Sequence, residues 1–495
     1  MKKSGSILIK NGSVIDGSGA REERLDVFIK GEQIADVGRF PLRNADLVID
    51  GTGMVVTPGF IDLNTASDHY LSIFTDPFQK RFLTQGISTI VGGLRGSSLA
   101  PILYGDLDSL MKWTDVNQVN IDWASFDELL NLLDRRGVGV NFASFVGYST
   151  LRRAISSHYH DDLSAKEIDA VVRLGSDALD DGALGISFGL LHRDSGSTSS
   201  RELEEIYKLC SQKGALVATQ PRYDGEKIFD AVEELASFAD EFEVKTIVNT
   251  LVAVKGHEGE YKRAIERIEK SRYLYFDAHN FDHQTLPIHL LLPPEFRFGG
   301  IDKMMEFVES EIGRDGILEA LGRVNGDKLV IASAPNFDFL VGRSLKEFAN
   351  NHGLSVAKGL LKLMEMTRLR AVLFVENLNS KEAFEALKSD KAFFASSNPS
   401  LLSAHNVIDH PGGSANVFLN YLKDSENLEK AVKKISFDSA SFLGFGDRGL
   451  VRSGYVADLC LLSDRIPEYV LISGEIVLEE GSANNRLAGK ILRRT

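Results

Sequence analysis

The sequence predicts an α/β fold: a distorted (β/α)8 TIM barrel between two strand-rich ends. Three observations carry this. The 495-residue length suits one large barrel with accessory elements, or two to three domains. Residues 1–56 and 446–495 alternate apolar and polar positions and are broken by tight-turn dipeptides. Residues 57–445 instead alternate short apolar runs with helical spacing, the order a parallel barrel requires.

The first end reads as hairpins. Ile7-Leu8-Ile9-Lys10 runs into Asn11-Gly12, and Val27-Phe28-Ile29-Lys30 into Gly31. Such glycine dipeptides supply the positive φ of a two-residue turn. The last end carries two more short strands, Ala457 to Leu462 and Tyr469 to Leu478. In the middle, the candidate strands are Gly86 to Gly93, Val138 to Val146, Ala183 to Phe188, Ala215 to Thr219, Lys245 to Thr250, Tyr273 to Asp277 and Ala392 to Ser396. Helices with apolar residues three and four apart lie between them, for example Glu202 to Cys210, Glu226 to Ala236 and Tyr261 to Ser271. His279 to Phe348 interrupts the alternation and reads as an insertion, about 280–350, before the last strand. No internal repeat or low-complexity tract is visible.

Composition narrows the function. Hydrophobic residues at 43% and charged residues at 25% are ordinary for a globular protein. The net charge of -14, with no lysine- or arginine-rich block, argues against a nucleic-acid partner. No apolar run approaches the ~20 residues of a membrane span, and the N-terminal residues lack the apolar segment of a signal peptide. Cys210 and Cys460 both sit in apolar or helical patterns and read as buried thiols, which fits a reducing cytoplasm.

One stretch carries more. Val55 to Asp68 is a buried strand opened by Pro58-Gly59 and closed by short polar residues, as at the mouth of a barrel. It resembles the opening strand of the amidohydrolase superfamily, in particular the N-acyl-D-amino-acid deacylase (D-aminoacylase) branch, whose pattern there is P-G-F-I-D-x-H-T-H-D-D. Pro58, Gly59, Phe60, Ile61, Asp62, Thr65 and Asp68 match, while Asn64 and Ala66 stand where that pattern has histidines. The Asp447-Arg448-Gly449-Leu450 turn and the Gly454 to Asp458 entry match as well. The resemblance spans Ile7 to Arg494. It implies that both ends join in one small β-sandwich, although the loop Ser463 to Glu468 is shorter than the family's.

The resemblance also implies where a metal would sit. Deacylases of this kind bind one or two zinc ions at the barrel mouth, using ligands from several strand ends and a catalytic aspartate on the last strand. Position by position, the frame matches and the ligands change. Gly93-Leu94-Arg95-Gly96-Ser97-Ser98-Leu99-Ala100-Pro101 places Arg95 where the family has a cysteine. Tyr148 and Gln220 replace histidines after the third and fifth strands. Asn249-Thr250 replaces Ser-His after the sixth, and Val252 a nearby lysine. The catalytic aspartate falls at Ser397, and the downstream H-P-R becomes His410-Pro411-Gly412. Amide, methyl, guanidinium and hydroxyl groups bind zinc poorly or not at all. The expectation is a chain without a metal cofactor and without catalytic residues of the family type. Its mouth would be a degenerate ligand site formed by Asn64, Ala66, Asp68, Arg95, Tyr148, Gln220, Arg222, Thr250, His279, Asp282 and Ser397.

The function expected from this is a deacylase-like pseudoenzyme that binds a small molecule or a protein partner, in a ligand-binding or structural and regulatory role. The alternative is an active hydrolase of non-peptide C–N bonds with a repurposed or metal-independent site around Arg95, Arg222, His279 and Asp282. Each residue also has a plain reading. Arg95 fills the metal's volume and pairs with Asp62, Asp68 or Asp277; alternatively it forms an anion pocket with Arg222. His279, Asp282 and His283 are rim residues or a relocated weak metal site. Asp68 caps a turn or bonds within the mouth. His158-Tyr159-His160 lies in a loop before the capping box Ser164 to Glu167. Self-assembly, and the ligand itself, are open at this level.

Overall fold

A computed structural model describes residues 5–103, 119–155, 162–191, 198–297, 300–322, 324–396 and 417–494. Both strand-rich ends build one nine-stranded sheet. Ser6–Val14 pairs antiparallel with Glu23–Lys30 and parallel with Val55–Pro58. Val55–Pro58 in turn pairs antiparallel with Leu459–Ser463, in the register Cys460 opposite Thr57. Ile466–Ile472 and Glu475–Glu479 extend the sheet from there. The expected union of the two termini is therefore a direct backbone ladder. Its core interleaves the ends: Ile9, Ile29 and Val56 pack with Leu459, Leu461 and Leu471, all buried. Alternating apolar positions face inward because successive side chains of a strand point to opposite sides.

The barrel strands follow in order, each parallel to the next. They are Phe60–Asp62, Ile87–Gly92, Asn141–Ser144 continued by Val146–Gly147, Gly185–Gly189, Leu216–Gln220, Thr246–Val248, Leu274–Ala278 and Ala392–Phe394. The third is split. Asn141–Ser144 pairs with the second strand and Val146–Gly147 with the fourth, so Phe145 marks the break and gives its N–H to Gly92 O at 3.0 Å. The helices between strands start where short polar residues cap them. Ser125, Ser164 and Ser199 each accept from the backbone N–H of a glutamate three residues on, and that glutamate bonds back. These capping boxes satisfy N–H groups that a helix leaves unpaired.

Between the seventh and eighth strands lies a three-stranded antiparallel sheet, His283–Pro287, Val372–Glu376 and Leu329–Ser333. It has its own core of Ile288, Met305, Val308, Ile331, Leu360 and Leu373. The segment 280–350, read above as an insertion, carries the first two elements of this unit, and its central strand comes from Val372–Glu376. A buried ion pair joins Arg448 to Asp458 within the C-terminal segment, and Asp458 carries the link from the β domain to the barrel. Asp458 also accepts from Asn141 Nδ2 of the third barrel strand at 2.8 Å. Cys210 and Cys460 are free and buried. Among the described residues, no helix is long and apolar enough to cross a membrane.

Candidate ligand site at the barrel mouth

Strand order brings the C-terminal ends of distant segments together. Asp62 ends the first strand, and Asn64 lies two residues beyond it. Asn249 and Thr250 follow the sixth strand, Asp277 sits in the seventh, and Ser396 follows the eighth. All are buried except Thr250, which is half-buried. Asp277 is the hub. It accepts from Asn249 Nδ2 at 2.6 Å, from the Thr250 N–H at 2.8 Å, and from Asn64 Nδ2 at 3.0 and 3.3 Å. Asn64 Nδ2 also donates to Thr250 Oγ1 at 3.0 Å. An ionised carboxylate only accepts, so both amides must turn their NH2 groups toward Asp277 and their oxygens away. Burial raises the Asp277 pKa, while Asn249, Thr250, Asn64 and the charge of Arg95 pull it back.

Asp62 accepts from the Ser396 hydroxyl, from Ser396 N–H at 3.2 Å and from Asn64 N–H at 3.2 Å. Burial pushes its carboxyl up to about 7, the donors oppose the shift, and the nearby Asp277 charge adds to it. Asp68 accepts from the Gly93 N–H at 2.6 Å and lies 2.9 Å from His69 Nδ1; His69 Nε2 reaches Leu94 O at 3.0 Å. Burial works against the Asp68 anion, yet His69 and the Gly93 N–H hold its pKa below the usual value. Asp68 thus bonds within the mouth and ties the first loop to the second. It does not cap the helix Ser72–Thr75, whose N-terminus has no side-chain cap.

Arg95 stands among these acids. It is only 7% exposed, and burial lowers its pKa, opposed by Tyr70, Asp277, Asp68 and Asp62. A guanidinium taken out of water requires acidic neighbours, and these carboxylates provide them. Its backbone is left-handed at φ 54°, as is that of Thr250 at φ 56°. For the β-branched Thr250 this is a true outlier. It is held by the bonds of Thr250 N–H to Asp277 and of Asn64 to Thr250 Oγ1.

Most of the other predicted site residues are engaged outside this cluster. The Arg222 Nε donates to both oxygens of Glu234 at 2.9 Å, and its Nη2 to Thr198 O at 2.6 Å. The Tyr148 hydroxyl donates to Glu202, which also lies 3.5 Å from Arg152; the Tyr148 ring packs 4.8 Å from Phe188. Asp282 pairs with His283 at 2.5 Å, its side chain 48% exposed, at the start of the inserted sheet. His279 is buried, packs 5.1 Å from Phe281 and accepts a bond from its N–H at 3.4 Å. Ala66 is buried in the main core. Gln220 ends the fifth strand with its Oε1 buried and unpartnered. Ser397, His158, His160 and His410 lie outside the described residues.

Four members of the cluster, Asp62, Asn249, Asp277 and Ser396, are not among the predicted site residues, although Asp62 and Asp277 are named as partners for Arg95. Each lies at or just beyond a predicted strand end, and that position was the available signal.

No family model matches the chain. The D-aminoacylase of Alcaligenes xylosoxydans xylosoxydans is 26% identical over 99% of this chain and 98% of its own length. The N-acyl-D-glutamate deacylase of the same organism is also 26% identical, over 100% and 98%. Among solved structures, a crystal structure of D-aminoacylase, described as defining a novel subset of amidohydrolases, superposes with a TM-score of 0.81 at 26% identity, covering 99% of both chains. The N-acyl-D-glutamate deacylase of Bordetella bronchiseptica, complexed with zinc and a phosphonate mimic of the tetrahedral intermediate, also gives 0.81, at 20% identity. By sequence and by fold, the chain is a homologue of D-aminoacylase and N-acyl-D-glutamate deacylase within the amidohydrolase superfamily.

Proposed function

We propose that this chain is a deacylase-like pseudoenzyme whose barrel mouth binds a small molecule without zinc-dependent hydrolysis. The observation that carries the reading is Arg95. It is a buried, permanently charged cation placed among Asp62, Asp68 and Asp277. Carboxylates crowded together in low dielectric require a cation, and the guanidinium supplies one without a metal. The residues brought together there do not fit zinc. Asn64 and Thr250 present amide and hydroxyl groups, and both Asp277 oxygens already accept bonds from the protein. Among the described residues, no three His, Cys, Asp or Glu side chains gather in a way that could hold a metal ion.

Elemental analysis of the purified full-length chain, run beside an N-acyl-D-amino-acid hydrolysis assay with and without added zinc, tests this. The expected result is substoichiometric metal and no hydrolysis. Stoichiometric zinc with hydrolysis would overturn the reading. One observation favours a second reading, a metal-independent hydrolase: the Asp62 carboxyl, pushed up to about 7 beside the Ser396 hydroxyl, has the pKa of a general base. Hydrolysis that persists after chelation and is lost in Asp62→Asn would select it.

A further inference from the structure

We propose that the mouth receives a primary ammonium group, held by the side-chain oxygens of Asn64, Asn249 and Gln220 and attracted by the Asp277 carboxylate behind them. The inference rests on the reading of the mouth as a ligand site without zinc, and it names the chemistry of the ligand.

The argument starts from orphaned acceptors. Asn64 Oδ1, Asn249 Oδ1 and Gln220 Oε1 are each buried, and none has a hydrogen-bond partner among the described residues. Asn64 and Asn249 are wholly buried residues. Leaving a buried acceptor unpaired is costly, so three at one end of a barrel call for a reason. Amide orientation is often ambiguous, because oxygen and nitrogen look alike. Here Asp277 resolves it for two of the three. Both NH2 groups donate to its carboxylate, so both oxygens are left to accept from something else. The third lies next door: the Asn249 N–H bonds to Thr219 O at 2.8 Å, and Gln220 is the next residue of that fifth strand.

The missing partner must therefore be a donor, and the Asp277 carboxylate behind two of the three amides favours a cationic one. Asp62, Asp68 and Asp277 all act on the buried Arg95, and Asp68 also lies against His69. Asp277 has no acceptor position to spare, since Asn64, Asn249 and Thr250 fill it. Its charge is instead passed outward. An amide that gives its N–H to a carboxylate has a more negative oxygen, through the cooperativity of hydrogen-bond chains. These two oxygens, with Gln220 Oε1 as the third, match the three N–H donors of –NH3+. An N-acylated nitrogen offers at most one N–H and no charge. The site thus favours a free amine over the N-acylated compounds named for the relatives.

The test is a thermal-shift and calorimetric screen of the full chain at millimolar n-butylamine, putrescine and D-alanine, each against its N-acetyl counterpart, with KCl and CaCl2 in parallel. At least one amine is expected to bind saturably and its N-acetyl form not to. Gln220→Leu removes one acceptor and is expected to weaken that amine ~10-fold or more, as for a lost bond to a charged group. Gln220→Glu keeps the acceptor, adds a charge and is expected to tighten it. Far-ultraviolet dichroism confirms that both variants fold. The proposal is overturned if no amine binds, if the N-acetyl forms bind as well, if K+ or Ca2+ gives the same saturable shift, or if both Gln220 variants bind like the parent. Failure here is separable from failure of the pseudoenzyme reading: no amine binding in a zinc-free, inactive chain defeats only this inference, whereas stoichiometric zinc with deacylation defeats the other.

Discussion

Ser396 gives both its hydroxyl and its backbone N–H to the Asp62 carboxylate, joining the strand that opens the barrel to the one that ends it. The two residues are 334 positions apart. No ladder of backbone bonds pairs Phe60–Asp62 with Ala392–Phe394 among the described residues, so this side-chain contact closes the ring there. The group that closes the fold therefore belongs to the mouth, and its ionisation bears on stability.

The first prediction concerns that ionisation. Asp62 has a folded-state pKa of about 7 against an ordinary 3.8. The folded chain thus holds a proton that the unfolded chain releases between these values. Its stabilising share is fully present below pH ~4 and is lost as pH rises through about 7. Asp62→Asn replaces the carboxyl with a neutral group that can still accept from both N–H groups and donate to the Ser396 hydroxyl. Unfolding free energies measured by denaturant from pH 5 to 8 should show the wild type losing stability relative to the variant. Over that pH range the upper bound is about 3 kcal/mol. Parallel pH curves for the two proteins would show that Asp62 is ionised throughout.

Arg95 gives a second prediction. Arg95→Ala and Arg95→Cys should each cost ~3–5 kcal/mol, because they leave Asp62, Asp68 and Asp277 without their cation. Arg95→Lys should cost less, since it keeps the charge and loses only the fork. Arg95→Cys should not acquire zinc, because Asn64 and Thr250 still present an amide and a hydroxyl. A loss below about 0.5 kcal/mol on truncation, typical of surface changes, would mean that the guanidinium is solvated.

Much of this was legible in the sequence, and the reason is positional. Pro58-Gly59-Phe60-Ile61-Asp62 and Gly93 to Pro101 fix where strands end, and a strand end faces the mouth of a parallel barrel. Arg95 could therefore be set among acids before any contact was known. The pairings could not be read. Asn64 and Asp277 are 213 residues apart, and nothing in periodicity links a particular amide to a particular carboxylate. Arg222 misled for the same reason. It does follow a strand, but Glu234 on the next helix, 12 residues later, captures it. Tyr148 likewise lies after its strand, yet its hydroxyl is taken by Glu202, the residue that completes the capping box of Ser200–Lys213. A sequence gives the address of such a side chain; competition among nearby acceptors decides its direction.

The Arg222 pair supports a third prediction. Both side chains are partly exposed, so the ion pair is screened and its coupling in a double-mutant cycle with Glu234→Ala should be about 1 kcal/mol or less. Arg222→Ala should leave amine binding in the mouth unchanged within twofold. A tenfold loss in this variant would return Arg222 to the ligand site.

The last prediction tests strain at the mouth. Thr250 is held at φ 56°, a conformation a β-branched residue rarely adopts. Reaching it costs roughly 1–2 kcal/mol for an L-residue. Two bonds hold it there, Thr250 N–H to Asp277 and Asn64 Nδ2 to Thr250 Oγ1. Thr250→Gly keeps the first, loses the second and removes the strain. The lost bond is worth about 0.5–1.5 kcal/mol, and the flexibility of the unfolded glycine adds a further ~0.5–1 kcal/mol. These losses and the relief of strain nearly cancel, so the change in unfolding free energy should stay within about 1 kcal/mol. Thr250→Val keeps the branched shape but has no acceptor for Asn64, so it retains the strain and loses the bond. The bond is lost in both variants, so they differ by the strain less the glycine entropy, and Thr250→Val should be the less stable by about 0.5–1 kcal/mol. A Thr250→Val variant more stable than Thr250→Gly by about 0.5–1 kcal/mol, measured by denaturant unfolding at one pH, would show that the left-handed backbone at Thr250 stores no strain. The bonds to Asp277 and Asn64 would then position the residue without opposing anything.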